Sequence, residues 1–252
     1  MHHEHDDIPL ARRSHPHSLQ ARVDKRPKWF GLILLSLISC IAGALLYLAS
    51  IRGPAARAPV PGFEGRLSQD GRLLGHFPYP EAKQNQLVSV SPGLSLRADA
   101  AKGFLAMQRA AAEDGIDLRL LSAFRSIELQ RQLFFDVKAE RNQTSLDRAK
   151  VSAPPGFSEH STGYAIDLGD GERPQTNLSP SFIHTRAYRW LLNNAARYQF
   201  TLSFPKSNPQ GVAFEPWHWR FEGSTDSLRL FEPAQRLHRE KGTGSFPRAT
   251  GG

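Results

Sequence analysis

The chain has 252 residues, of which 40% are hydrophobic and 22% are charged. These fractions are those of a globular protein, so a chain that is disordered throughout and a collagen-like repeat are both excluded. The single cysteine, Cys40, excludes an internal disulfide, and the net charge of +8 makes nucleic acid, anionic lipid or an acidic polymer candidate partners.

A long apolar segment lies near the N-terminus. Residues 29–51 are uncharged over 23 positions, and as a helix they would extend about 34 Å, enough to cross a hydrocarbon core of roughly 30 Å. Trp29 lies at one boundary and Tyr47 near the other, as aromatic residues do at membrane interfaces. The segment predicts one transmembrane helix rather than a buried core helix or a signal peptide, whose apolar region is shorter.

Basic residues on either side of this helix predict its orientation. The positive-inside rule places the N-terminus in the cytosol and residues 52–252 outside, because six basic residues precede the helix and two follow it closely: Arg12, Arg13, Arg22, Lys25, Arg26 and Lys28 before, Arg52 and Arg57 after. Residues 37–40 resemble a bacterial lipoprotein processing box, which leaves lipidation of Cys40 open. The apolar run that continues to Ile51 favours the intact helix.

Composition divides the chain into five parts. Outside the membrane helix we expect a cytosolic, basic and histidine-rich tail over 1–28, a Pro/Gly-rich linker over 52–74, one folded domain over 75–235 and a flexible tail over 236–252. The catalytic chemistry is therefore expected within 75–235.

The pattern of the folded domain predicts a small α+β fold with an antiparallel sheet, because helices are followed by short strands without a βαβ rhythm. We expect these elements in chain order: a helix over 98–114 that ends at Gly115, a strand over 118–124, a helix over 126–143 opened by Ser126, a strand over 163–169, an amphipathic helix over 185–200 and a strand-like segment over 214–223.

Three short clusters carry side chains capable of chemistry. In the first, His160 lies in a turn before a strand and Asp167 within that strand, and Gly163 lets the chain fold back so that the two side chains can converge. The second places Glu215 three residues before His218. The third is Arg125 at a strand-to-helix junction, with Gln130 one turn further on: SAFRSIELQ over 122–130.

Two histidines, an aspartate and a nearby glutamate are the groups that a hydrolytic zinc site needs. Three protein ligands leave the fourth tetrahedral position to water, whose pKa the metal lowers to about 7, and a glutamate that is not a ligand can take its proton. An arginine can bind a substrate carboxylate or stabilise an oxyanion. Each residue alone is more often structural, so their joint occurrence carries the hypothesis. His76, His184 and His238 lack such neighbours and receive no role.

The second cluster requires a bend. In a regular strand Glu215 and His218 would point to opposite faces, because their separation of three is odd. Pro216 interrupts strand pairing and restricts the residue before it. We therefore predict a bulge or turn at 215–217, and an unbroken strand over 214–219 would contradict a shared site.

The pattern S-x-H-x-x-G-x-A-x-D followed by E-x-W-H-W resembles the VanY-like D-alanyl-D-alanine carboxypeptidases, zinc peptidases that act on bacterial peptidoglycan stems. Here it reads SEHSTGYAIDL over 158–168 and EPWHWRFEG over 215–223. The segment 122–130 resembles the arginine segment of the family and 187–205 its helix-and-strand spacer, so that the resemblance covers about residues 75–225. Gln199 stands where the family pattern leads us to expect glycine.

The resemblance implies a fold, a Zn²⁺ cofactor and roles for seven residues: zinc ligands His160, Asp167 and His218, catalytic base Glu215, substrate-holding Arg125, and pocket-lining Ser158 and Gln130. The expected function is a membrane-anchored zinc carboxypeptidase that removes a C-terminal D-alanine from peptidoglycan stem peptides. Its expected partners are that substrate and the membrane, through residues 29–51.

Several alternatives stay open at this point. The same metal chemistry serves an LD-carboxypeptidase or an endopeptidase on the same polymer. A non-catalytic wall-binding module could keep zinc for structure, although an intact Glu215 argues against it. An iron oxygenase triad is disfavoured, because its first histidine and its acid usually lie two residues apart, whereas His160 and Asp167 lie seven apart.

The expected orientation also divides the charged residues between the two sides of the membrane. Residues 1–28 contain six basic and four acidic residues, so 26 of the 32 basic and 20 of the 24 acidic residues lie in 52–252. The larger share of positive charge would face a wall polymer and lipid headgroups outside the cytosol. Nucleic acid is therefore not an expected partner.

Overall fold

The computed structural model of the chain describes residues 67–240. The predicted cytosolic tail, the predicted transmembrane helix over 29–51 and most of the predicted linker lie outside these residues. Within 67–240, none of the helices combines the length and the apolar character needed to cross a membrane.

Helices and strands are mixed along the described residues, as the sequence predicts. Their bounds are β1 (Leu87–Ser91), β2 (Leu94–Arg97), α1 (Ala98–Glu113), β3 (Leu118–Ser122), α2 (Ile127–Glu140), α3 (Ser145–Ala149), β4 (Ala165–Asp170), α4 (Arg186–Asn194), β5 (Phe200–Leu202), β6 (His218–Phe221) and α5 (Thr225–Glu240). Short 3-10 helices connect several of them, including Glu159–Thr162 and Ala195–Tyr198.

The strands form two antiparallel sheets. β1 and β2 make a hairpin, and the larger sheet has the order β3-β4-β6-β5. Asp167 in the central strand β4 pairs with His218 on β6 and with Ser122 on β3, where the register shifts. One row across the sheet therefore carries two of the predicted ligands.

The two faces of this sheet have different environments. Ile166 on β4 and Trp219 on β6 belong to the hydrophobic core, together with Phe104 of α1. Asp167 and His218 alternate with them and lie on the opposite face, because successive strand residues point to opposite sides. The core thus fixes the sheet on one face and leaves the other for polar side chains.

Local signals in the sequence explain where the helices begin and end. The Ser126 hydroxyl accepts a hydrogen bond from the Leu129 N–H and caps α2, as predicted, and Thr185 caps α4 in the same way. The predicted helix over 185–200 tightens into a 3-10 turn after Asn194. It ends at Gln199, whose φ of 65° is left-handed. The expected glycine turn is therefore present without glycine.

Four features differ from the sequence-based expectation. The strand expected over 214–223 is confined to β6, because the chain turns at 216–217. The β1–β2 hairpin, the short helix α3 and the C-terminal helix α5 were not expected.

The ordered structure is also wider than 75–235. Leu73 forms bridges with Leu67 and His76. At the other end α5 continues to Glu240, with Leu237 buried in the core. Within the described residues, backbone bridges thus lie on both sides of residue 74, and α5 continues past residue 235.

Candidate active site

Asp167 and His218 come from paired positions of neighbouring strands. The His218 Nδ1 lies 3.1 Å from Asp167 Oδ1. Both residues are buried, with 5% and 4% of their surface exposed. Strand pairing thus brings together an imidazole and a carboxylate that are 51 residues apart in the chain.

His160 reaches the same point from the 3-10 helix Glu159–Thr162. Gly163 ends this helix with a φ of 74°, and a Cβ there would lie 2.9 Å from the Leu87 side chain. Glycine is therefore required for the reversal that the sequence predicts. The reversal places His160 Nε2 at 3.2 Å from Asp167 Oδ2.

The three side chains form a group that could hold a metal ion. His160, Asp167 and His218 each offer one ligand atom, and these atoms lie within 4.8 Å of one another. Bonds of about 2.0 Å in a tetrahedral zinc site separate ligand atoms by about 3.3 Å. His218 Nδ1 lies at about this spacing from Asp167 Oδ1, at 3.1 Å, and His160 Nε2 from the other Asp167 oxygen, Oδ2, at 3.2 Å.

The remaining ring nitrogens give a second test of the fit. His160 Nδ1 donates to the Ala123 carbonyl at 2.7 Å, which leaves Nε2 for a metal. His218 Nε2 donates to Glu159 Oε2 at 3.0 Å, which leaves Nδ1. Histidine ligands usually bind metal with one nitrogen while the other donates to a carbonyl or carboxylate. The residues present therefore fit Zn²⁺.

Charges around the group act strongly because it is buried. Burial alone would lower the pKa of His218, but in the metal-free chain hydrogen bonds to Asp167 and Glu159 outweigh it and raise that pKa, so zinc at Nδ1 would displace a proton. Burial would raise the pKa of Asp167, whereas His160 and His218 hold it well below its usual range. The aspartate is thus an ionised carboxylate, as a metal ligand must be.

Glu215 lies beside the metal group because of the predicted turn. The His218 N–H donates to the Glu215 carbonyl at 3.2 Å and closes the turn. This brings Glu215 Oε2 to 3.9 Å from His218 Nδ1, with 13% of the Glu215 side chain exposed. Burial raises the pKa of Glu215 to about 8, against the opposing charges of His218 and Arg125. The prediction of a bend at 215–217 is confirmed.

Arg125 approaches the Asp167 oxygen that also faces His160. Its Nη2 donates to Ser122 Oγ at 2.8 Å and its Nη1 to Gln130 Oε1 at 2.9 Å, while Asp167 Oδ2 is 3.8 Å away. The Arg125 side chain is 19% exposed. Its cationic end is therefore oriented by neutral partners and still accessible. Burial lowers the pKa of Arg125 from its usual value.

The two pocket residues expected from the resemblance differ in their contacts. Gln130 is buried and uses both ends of its amide, because its Nε2 donates to the Ala153 carbonyl at 2.7 Å while Oε1 accepts from Arg125. Gln130 therefore holds the Arg125 guanidinium in place through a hydrogen bond. Ser158 directly precedes the 3-10 helix that carries His160, and its side chain makes no capping hydrogen bond there.

Sequence reasoning gave no role to two buried residues that reach this site, Glu159 and Arg220. Glu159 Oε1 accepts from Arg220 Nη1 at 3.0 Å, and its other oxygen accepts from His218. The sequence contains a signal for Arg220: His218, Arg220 and Glu222 alternate with Trp219 and Phe221 and mark a polar face of the strand. Glu159 lies in a 3-10 turn, where no alternation of polar and apolar residues marks a buried polar face.

The histidines that received no role lie outside the metal group. His76 is buried, and its Nε2 is 2.7 Å from the Ala149 carbonyl oxygen. Burial lowers the pKa of His76 to about 4. His184 is exposed, and His238 lies on α5.

Comparison with known families tests the resemblance seen in the sequence. The family model described as VanY, D-alanyl-D-alanine carboxypeptidase, matches residues 93–224, more than half of the chain. The chain belongs to this family. The VanY match includes all seven predicted site residues, from Arg125 to His218.

Individual relatives agree with this assignment. The chain is 33% identical over 135 residues to YodJ of Bacillus subtilis, in an alignment that covers 51% of this chain and 46% of YodJ. It is 30% identical over 132 residues to a D-alanyl-D-alanine carboxypeptidase of Enterococcus faecalis, covering 48% and 46%. The chain thus spans about half the length of these curated relatives.

Among solved structures, VanYB in complex with D-alanine-D-alanine is 26% identical, with a TM-score of 0.51, and the alignment covers 67% of this chain and 94% of VanYB. The dipeptidase VanXYg, in complex with a D-Ala-D-Ala phosphinate analogue, is 25% identical, with a TM-score of 0.51 and coverage of 64% and 67%. The mixed helix and antiparallel-sheet fold therefore resembles that of VanY peptidases.

Proposed function

We propose that the chain is a zinc-dependent carboxypeptidase that removes the C-terminal D-alanine from peptidoglycan stem peptides. The observation that carries the proposal is the buried group of His160, Asp167 and His218, with Glu215 beside His218 and Arg125 beside Asp167. Membership of the VanY family supports the same reaction.

The proposed ligands are His160 Nε2, an Asp167 oxygen and His218 Nδ1. Zinc bound there supplies Lewis-acid chemistry, since it lowers the pKa of water and polarises the carbonyl of the scissile bond. His160 and His218 each keep their other ring nitrogen as a donor, and this fixes the orientation of both rings.

Glu215 is the proposed general base. Its carboxylate accepts the proton of the attacking water, and the same group then gives that proton to the leaving D-alanine amine. Burial raises the pKa of Glu215 above its ordinary value, and this makes its carboxylate a stronger base than an exposed one.

Arg125 is the proposed binder of the terminal carboxylate of the substrate. A guanidinium has five N–H donors, and the bonds to Ser122 and Gln130 use one from each terminal nitrogen. The remaining donors can hold a carboxylate in a bidentate manner. We propose that Ser158, close to His160 in the chain, lines the same pocket.

The test uses the purified full chain in detergent. Elemental analysis should find about one zinc per chain, and a stem pentapeptide should release D-alanine. Glu215→Ala should keep the metal while turnover falls about 10²- to 10⁴-fold, the usual contribution of a general base. Glu128→Ala, at an exposed carboxylate of α2, is the matched control and should remain fully active. A wild-type chain that binds zinc but releases no D-alanine contradicts the proposal.

Defined muropeptides separate the related activities. Mass analysis of the products should show loss of one alanine from a pentapeptide stem. Cleavage of a tetrapeptide stem or of a crosslink would instead indicate an LD-carboxypeptidase or an endopeptidase. Because the reaction includes no serine acylation, β-lactams should not inhibit the enzyme covalently.

We further propose that residues 29–51 anchor the chain in the cell membrane, with the catalytic domain on the outer, cell-wall side. The uncharged segment and the basic residues before it support this arrangement. The full chain should fractionate with membranes and resist extraction by salt, and protease added outside spheroplasts should degrade residues 67–240. Recovery in the salt-soluble fraction would contradict anchoring.

A further inference from the structure

A buried ion pair lies behind the metal group, and the proposed reaction gives it no role. Glu159 and Arg220 are each 3% exposed, and their charged ends are 3.0 Å apart. Removing two charges from water is expensive, so a buried pair of this kind often stabilises a protein no better than apolar side chains would. The contacts of this pair point to a purpose other than stability.

Strand geometry places Glu159 between two residues of β6. His218 and Arg220 are alternate residues and face the same side of the strand. One oxygen of Glu159 accepts from His218 Nε2 at 3.0 Å, and the other accepts from Arg220 Nη1 at 3.0 Å. Ser203 Oγ donates to the first oxygen at 2.6 Å. The carboxylate is therefore held at both ends.

The far side of the pair is closed by aromatic rings. The guanidinium of Arg220 lies 5.1 Å from the centre of the Phe231 ring on α5, and the Tyr79 ring packs edge-on against Phe231 at 5.4 Å. Arg220 Nε also donates to Glu222. With so little access to water, the contacts between these charges are strong and their geometry is fixed.

We propose that Glu159, held by Arg220, is the positioning residue that makes His218 bind metal through Nδ1. A carboxylate paired with a guanidinium accepts hydrogen bonds and donates none. The ring nitrogen that faces Glu159 must therefore keep its hydrogen, so a metal would take the place of the proton on Nδ1, which faces Asp167. The inference rests on the metal centre of the proposed function.

The other histidine provides an internal reference. His160 Nδ1 donates to the Ala123 carbonyl, which belongs to the backbone and is unaffected by side-chain substitution at a distance. The two histidines thus have equivalent bonds, but only the bond of His218 depends on a side chain. A change confined to His218 can be recognised against His160 in the same sample.

The decisive variant is Glu159→Gln in the full chain. It keeps the shape of the side chain but removes the charge, and its amide group can turn a donor towards His218. Zinc affinity of the metal-free protein, measured by competition with a chromophoric chelator, should fall about 10- to 100-fold. Glu222→Gln is the matched control, because it makes the same chemical change at the other carboxylate that binds Arg220, and Glu222 has no hydrogen bond to His218. Its zinc affinity should stay within about twofold of wild type.

A spectroscopic measurement separates positioning from a general loss of stability. In the cobalt-substituted wild type, proton NMR should show two strongly shifted N–H signals that disappear in D₂O, one from each ligand histidine. Glu159→Gln should move or abolish the His218 signal and leave that of His160 in place. Unchanged zinc affinity together with two unchanged signals would overturn the inference.

Two further results keep the test decisive. If Glu159→Gln fails to fold, Ser203→Ala removes a hydrogen bond to the same Glu159 oxygen and should weaken zinc binding about fivefold, and an unchanged affinity there would overturn the inference. If the wild type binds zinc but does not cleave stem peptides, the proposed function is wrong, but the inference about Glu159 can still be tested. The zinc affinities of wild type and Glu159→Gln decide it without any measurement of activity.

Discussion

The metal group and Arg125 meet at Asp167, and the two parts of the site are built differently. His160 and His218 are fully buried, and every ring nitrogen has a partner among the described residues. Arg125 is partly exposed and held by the neutral Ser122 and Gln130, with Asp167 at 3.8 Å. On the metal side neighbouring groups already hold every ring nitrogen, whereas the arginine side leaves part of a cationic side chain exposed.

The difference follows from the elements that carry each side. Two of the metal-side residues pair across regular strands, and core packing on the other face of the sheet fixes those strands. Arg125 lies in the turn between β3 and α2, and its backbone N–H donates to the His160 carbonyl at 3.2 Å. Arg125 is therefore carried by a turn rather than by a paired strand, although β3 and this turn are joined to the metal side through backbone groups.

Removing Asp167 should have the largest effect, because both histidines point at it. For Asp167→Ala we expect loss of zinc and activity, and a decrease of about 3–5 kcal/mol in the free energy of unfolding measured in chelator, since buried charges lose their partner. Asp117→Ala removes a carboxylate from an exposed ion pair with Arg119 and should change that free energy by less than about 1 kcal/mol. Equal effects of the two substitutions would contradict a preformed metal side.

Acid should destabilise the folded chain through His76, a buried histidine that lies outside the metal group. Burial lowers the pKa of His76 to about 4 from an ordinary 6.5, so between these values the unfolded chain binds a proton that the folded chain does not. The contribution of His76 is complete above pH 6.5 and falls by about 3 kcal/mol towards pH 4. In chelator, His76→Gln should therefore lose less stability than wild type between pH 7 and pH 4.5 in urea unfolding.

A matched histidine serves as the control for this acid effect. His184 is exposed, and His184→Gln should follow the wild-type pH dependence. A His76→Gln variant that loses stability as steeply as wild type on acidification would show that His76 is hydrated in the folded chain.

Arg125 tests the other side of the comparison. Arg125→Ala should lower kcat/KM about 10- to 100-fold, because a hydrogen bond to a charged group contributes about 1.5–3 kcal/mol, while zinc affinity stays at the wild-type value. Arg125→Lys should recover part of the loss, since it keeps the charge but not the bidentate geometry. Arg119→Ala, on the same strand-to-helix unit but exposed, should leave kcat/KM unchanged. Weakened zinc binding with normal kcat/KM would assign Arg125 to the metal side.

Gln130 should give the smallest effect, because it acts through Arg125. Gln130→Ala removes one neutral support of the guanidinium and should lower kcat/KM about threefold to tenfold with unchanged zinc affinity. Gln132, an exposed glutamine on the same helix, is the matched control. A loss larger than that of Arg125→Ala would mean that Gln130 itself contacts the substrate.

The sequence predicted those parts of the site that have a local physical signal. Gly163 and Pro216 fix the two reversals on which the metal group depends, and both reversals were predicted from these residues. The helix start at Ser126 was predictable from its capping hydroxyl. These features need only a few neighbouring residues, so they can be inferred without the tertiary structure.

Features that depend on distant contacts were not predictable in the same way. The pairing of Glu159 with Arg220 joins residues 61 positions apart, and nothing near Glu159 in the chain distinguishes it from a solvent-exposed glutamate. Gln199 is a second example, because the sequence has no glycine where a left-handed turn is expected, and yet the turn forms. The Gln199 carbonyl accepts a hydrogen bond from the Glu222 N–H at 2.8 Å, and this tertiary contact stabilises the turn.

The aromatic rings that cover Arg220 limit how short a functional fragment of this protein can be. Tyr79 and Phe231 both lie outside residues 93–224, the part shared with the family model. A fragment trimmed to the shared part would keep every proposed ligand and the base, yet it would open the guanidinium to water. A fragment designed to keep the metal group intact must therefore extend beyond residues 93–224. It must include Tyr79 and Phe231, because these rings shield the Arg220 guanidinium from water.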